Sequence, residues 1–108
     1  MPATDRLHGT LDALVLKALS LEPRHGFGIL RWIADRTEDV VRVEEGSLYP
    51  ALNRMLLKGW LRARWGTSDT NRRVRFYELT RDGRKQLTAE TADFDKIIAA
   101  IQLVMKNA

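Results

Sequence analysis

Apolar residues recur with helical spacing over the first fifth of the chain. Leu11, Leu14, Val15, Ala18 and Leu19 fall on one face, which predicts a helix from Thr10 to Leu21. Thr10 suits its N-cap and Asp12 its first turn. Pro23 ends it, because proline disfavours the α conformation at Glu22. The glycines of Arg24–Gly28 predict a turn. A second helix follows from Phe27 to Arg36, with Phe27, Leu30 and Ala34 on one side and Ile33 beside them. Val40, Val41 and Val43 make a weak strand or an extended connector. Leu48, Leu52, Met55 and Leu56 form the stripe of a third helix, Ser47 to Lys58. Ser47 can cap it. Pro50 fits only the first turn, so the helix is expected to start close to Ser47. Gly59 supplies the stop.

The period then changes to two. Leu61, Ala63 and Trp65 alternate with Arg62 and Arg64, and Arg73, Arg75 and Tyr77 alternate with Val74 and Phe76. A polar loop, residues 66–72, joins them, so the pair reads as a hairpin with a basic tip. A last helix is expected from about Thr80 to Lys106. Leu87, Phe94, Ile98, Ile101 and Met105 make a heptad-like seam on it, widened by Ile97, Ala100 and Val104. A helix this long outruns a small domain. Its apolar face either packs on its own bundle or is covered by a second copy of the chain.

Three helices, a hairpin and a long helix predict a mainly α fold with a small β-hairpin. The arrangement is a winged helix-turn-helix over residues 1–80, followed by a C-terminal dimerisation helix over 81–108. In such folds the helix before the wing enters the DNA major groove.

Charge supports that reading by its distribution rather than its total. The net charge of 108 residues is only +4, but residues 54–85 hold 10 basic and 3 acidic side chains, whereas residues 1–53 hold 6 and 8. A local positive patch is what a polyanion needs, although an arginine-rich solvated surface would give the same count. The chain has no cysteine, which excludes disulfides and thiolate zinc sites. His8 and His25 lie in no metal-ligand spacing, and no phosphate-binding or dinucleotide fingerprint is present, so neither a cofactor nor an enzyme is expected. The N-terminus has no apolar signal-peptide core, and no run is long enough to span a membrane, so a cytoplasmic protein is expected.

On the third helix, Tyr49, Asn53, Arg54 and Lys58 lie opposite the leucine stripe. Asparagine can read adenine and arginine guanine through paired hydrogen bonds. Ser47 and Tyr49 can donate to phosphates near the helix N-terminus, unless Tyr49 merely packs at the edge of the core. Arg72 and Arg73, with Arg75 beyond, suit backbone or minor-groove contacts from the wing. Trp32, Trp60 and Trp65 are expected in core or hinge packing, and Arg62 and Arg64 either bind DNA or form a solvated strand face.

The stretch Gly46-Ser47-Leu48-Tyr49-Pro50-Ala51-Leu52 resembles the recognition-helix signature of the PadR family of bacterial transcriptional regulators. So do Gly59-Trp60-Leu61, Asn71-Arg72-Arg73, Phe76-Tyr77-Glu78-Leu79-Thr80 and Gly83, and earlier Leu11 to Leu16 and His25 to Gly28. The likeness runs in order over about residues 7 to 88. It implies a homodimeric winged-helix repressor whose C-terminal helices join the dimer. It also implies DNA contacts through Ser47, Tyr49 and Asn71 to Arg73. A rival reading keeps the fold but gives it an RNA or protein partner. A small-molecule effector in the dimer groove would add to DNA binding rather than replace it.

Overall fold

The computed structural model describes the backbone of residues 3–106 and the side chains from Thr10 onward. Seven elements follow one another: α1 (Ala3–Leu21), β1 (Arg24–His25), α2 (Gly26–Arg36), α3 (Glu45–Leu57), β2 (Leu61–Thr67), β3 (Arg73–Leu79) and α4 (Arg81–Lys106). The three strands form an antiparallel sheet in the order β1-β3-β2. This is the winged-helix arrangement expected from the order of elements.

The core lies where three helices meet the base of the sheet. Val15, Leu16, Ala18 and Leu19 of α1 meet Ile29 and Ile33 of α2 and Leu48, Ala51, Leu52 and Met55 of α3; Leu61, Tyr77 and Leu79 close it from below. Each large aliphatic side chain buried there contributes about 1.5–3 kcal/mol. Ala51 had no place in the expected stripe, and Leu56 is only half-buried. In α2 the expected face is wrong by about a third of a turn. Ile29 and Ile33 are buried, whereas Phe27 is 57% exposed. The β-branched pair at i, i+4 turns inward because α1 and α3 flank that side, and Phe27 is left at the helix entrance.

Helix α1 starts seven residues before the expected Thr10, which lies inside it. No proline interrupts residues 3–10, and Gly9 costs a helix only about 1 kcal/mol. Asp12 is therefore not a first-turn residue. The segment Arg24–Gly28 is not a free turn either. Arg24 and His25 pair with Tyr77 and Phe76 of β3. His25 then caps α2, its Nδ1 accepting from the Gly28 amide at 3.1 Å. Residues 40–43 form no strand. Glu38 and Asp39 take positive φ (52° and 65°), and Thr37 ties the connector down by accepting from the Val41 amide at 3.0 Å.

Helix α4 joins the body through its first half, where Leu87 packs on the core and the helix runs against α1. Its second half projects, and the molecule measures 52 × 29 × 23 Å. Among the described residues no helix is long and apolar enough to cross a membrane.

Candidate nucleic-acid interface

Helix α3 begins two residues before Ser47. Glu44 is the N-cap, in extended backbone, and its carbonyl accepts from both Ser47 and Leu48 at 3.0 Å. Ser47 is thus not the cap, and Pro50 sits beyond the first turn. Its missing N–H leaves the Gly46 carbonyl without an intrahelical donor. Gly46 is exposed, so solvent or a ligand can supply one. The far end closes with a Schellman pair: Trp60 N donates to Met55 O and Gly59 N to Leu56 O, with Gly59 at φ 78°.

Between these ends, Ser47, Pro50, Asn53, Arg54, Leu57 and Lys58 are exposed. Arg54 is not free to read a base. Its guanidinium grips the Asp12 carboxylate with two hydrogen bonds, 2.6 and 2.9 Å. Asp12 is only 6% exposed and is the one buried charged residue of the described part. The bond to Asp12, then its charge and that of Glu90 on α4, hold the arginine's pKa above its ordinary value despite partial burial. Arg54 therefore anchors α3 to α1. The Asp12 carboxylate was the signal that sequence reading missed, because it had been placed in a first turn. Lys58 lies over the Trp60 ring at 4.7 Å.

Tyr49 is half-exposed and wedged between α3 and the start of α2. A methyl group on Gly26 would overlap its hydroxyl and ring, 2.8 Å from Cζ. Burial, then the Glu45 charge, push its hydroxyl pKa up, so it stays protonated and able to donate. Edge packing and a free donor are both true of it.

The wing sorts its arginines by face. Residues opposite one another in an antiparallel pair share a face. Leu61, Ala63, Tyr77 and Leu79 cover the core, and the same face continues outward as Trp65, Arg75, Thr67 and Arg73. Arg73 lies over the Trp65 ring at 5.0 Å and Arg75 over Tyr77 at 5.9 Å. On the other face Arg62 is bound to Glu78 at 3.0 Å and Arg64 lies over Phe76 at 5.5 Å.

The tip is tighter than the expected long loop. Ser68 N donates to Arg72 O at 2.8 Å and Asn71 N to Ser68 O at 2.9 Å, with Asn71 at φ 62°. This is a three-residue hairpin loop whose last position needs a left-handed residue, a place asparagine accepts readily. Asn71 thus has a conformational role before any contact. Arg72 lines a cleft of about 650 Å³ with Arg31, Glu45 and Asp69. A second cleft, of about 290 Å³, lies between Tyr49 and the wing residues Trp65 and Arg75, with His25 and Phe27 alongside. Trp32 and Trp60 pack against the core as expected, but Trp65 is 58% exposed.

The structure does not bring the α4 seam together with this surface. Leu87 faces the body, while Phe94, Ile98, Ile101 and Met105 are exposed along the projecting half, with Leu103 and Val104.

The model of the PadR-like family of transcriptional regulators matches residues 15–89, from the last third of α1 to the first turns of α4. The chain belongs to the PadR-like family. It is thereby a transcriptional regulator of the DNA-binding winged-helix kind. Solved structures share the fold. A transcriptional regulator from Clostridium thermocellum superposes with a TM-score of 0.80 over 91% of this chain and 95% of its own, at 23% identity. A PadR-like transcriptional regulator from Bacillus cereus gives 0.75 over 94% and 96%, at 22% identity. An uncharacterised protein from Lysinibacillus sphaericus is 24% identical over 99% of this chain and 98% of its own. The motifs that carried the resemblance have local reasons. Thr80 accepts from Gly83 N and donates to Gly59 O at 2.6 Å, and Thr80 N donates to Trp60 O. A side chain at Gly83 would collide with the Trp60 carbonyl.

Proposed function

We propose that this PadR-like protein is a homodimeric repressor that binds a pseudo-palindromic operator. The observation that carries the reading is the division of labour on the surface. Asn53 and Ser47 on α3 and Arg73 and Arg75 on the wing are exposed without acidic partners among the described residues, while the apolar seam lies apart on α4. Each α3 enters a major groove, where Asn53 reads a base edge. Ser47, Tyr49 and Lys58 hold phosphates, and the wing, through Arg72, Arg73 and Arg75, holds the flanking backbone. Phe94, Ile98, Ile101 and Met105 meet their counterparts across a two-fold axis.

Selection of bound duplexes from a random pool by the purified protein tests this directly. A recovered palindrome with half-sites about one helical turn apart is the expected result. Enrichment of single, unpaired sites would reject the dimeric reading, and no enrichment at low salt would reject DNA binding in favour of a protein or RNA partner. A reporter driven by a promoter carrying the selected site should fall in expression when the protein is supplied; a rise would overturn the repressor assignment.

A further inference from the structure

Trp65 is the feature that the fold does not explain. A tryptophan commonly buries most of its surface, and its large apolar ring with one polar N–H suits it to contact surfaces. Trp32 and Trp60 of this chain pack against the core; Trp65 is 58% exposed. It stands directly across the ladder from Arg75, on the wing face turned toward the helices, with the Arg73 guanidinium 5.0 Å from its ring. The strand edge beside it is open. β1 pairs only with Phe76 and Tyr77, so Arg73 to Arg75 have no neighbour on that side. The 290 Å³ cleft lies at this opening, between Trp65 and Arg75 on one wall and Tyr49 on the other, with the 57% exposed Phe27 beside it.

The lining combines two chemistries. Arg75 and the Tyr49 hydroxyl are donors with no carboxylate bound to them among the described residues, and Trp65 and Phe27 are apolar plates. A DNA strand combines the complementary two, anionic phosphate and apolar deoxyribose. An acidic peptide would match the cations but would leave the two plates unused.

We infer that this cleft seats the sugar–phosphate ridge of one DNA strand, with Trp65 packing on deoxyribose between phosphates held by Arg75 and Tyr49. The inference rests on the DNA-binding reading above and adds to it a contact that is not electrostatic. That difference makes it testable. A lost phosphate contact lowers the dependence of log affinity on log salt by about one unit, whereas a lost apolar contact leaves that slope alone.

The experiment is a salt titration of operator binding by the full chain and its W65A, W65F, W65K and R75A variants, with far-UV circular dichroism to verify folding. W65A is expected to lose roughly tenfold in affinity at every salt concentration, with the wild-type slope. W65F should retain most of the affinity, and R75A should flatten the slope. W65K is decisive where W65A is ambiguous: added charge should not restore binding. Wild-type affinity in W65A or W65K would overturn the inference, as would a flattened slope in W65A. A W65A loss that vanishes in an R73A background would also overturn it, because Trp65 would then serve only to place Arg73. If the wild type binds no duplex, the DNA-binding reading itself fails, which is a separate result.

Discussion

The two faces of the wing each carry two arginines but differ in net charge. On one, Arg62 is bound to Glu78, and only Arg64, 5.5 Å from the Phe76 ring, has no carboxylate partner among the described residues. On the other, Arg73 and Arg75 lean on aromatic rings with no carboxylate at hand among the described residues. A side-chain ion pair at the surface contributes little stability, about 0–1 kcal/mol, but it nearly cancels the field that a distant phosphate would feel from that arginine. An aromatic ring leaves the cationic charge intact and limits where the guanidinium can go. Strand alternation alone produces this sorting. Shifting either strand by one residue would exchange the two faces.

The comparison breaks most visibly if both open arginines are removed. R73A/R75A should lose more than about 100-fold in operator affinity at low salt, with a slope reduced by about two, since each charge-assisted contact is worth about 1.5–3 kcal/mol. R62A/R64A should lose less than a tenth as much. Equal losses from the two double variants in a gel-shift titration would show that face does not matter. The next effect is structural. G83A forces a methyl group onto the Trp60 carbonyl at the foot of the wing. Overpacking of this kind typically costs about 1–3 kcal/mol, which a shift in the urea midpoint would measure. An unchanged midpoint would mean that the foot is looser than its geometry. At the tip, N71G should keep both stability and DNA affinity, while N71A costs about 1–2 kcal/mol for its left-handed backbone. Loss of binding in a stable N71G would give the Asn71 side chain a contact of its own. The smallest effect is expected from E78Q, which frees Arg62. Affinity should rise by less than about threefold, within the range of a surface pair. A larger rise would place the outer face in the interface as well.

Much of this was legible in the sequence, because period and punctuation are local. The hairpin, the Gly59 stop and the start of α4 near Thr80 follow from alternation, glycine and a capping threonine. Most of the failures share one cause: partners distant in sequence. Asp12 and Arg54 are 42 residues apart, and neither hints at the other. His25 looked like part of a turn because its strand partner, Phe76, lies half the chain away. The face of α2 was misjudged because three apolar positions fit one stripe and two isoleucines fit another; only the packing of α1 and α3 decides between them. Pro50 was placed one turn too early because the exposed Gly46 carbonyl makes its missing hydrogen bond cheaper than in a buried helix. The helix face opposite the leucine stripe presents both Asn53 and Arg54, and nothing in that spacing separates Arg54, which is occupied, from Asn53, which is open.

The knot at Gly59, Trp60, Thr80 and Gly83 has a mechanical consequence. Helix α3 ends there, the wing leaves and returns there, and α4 departs from there, all within a few hydrogen bonds. The junction therefore fixes where the long helix leaves the body relative to α3 and the wing, and the Asp12–Arg54 clasp fixes α3 in turn to α1, against which the first half of α4 packs.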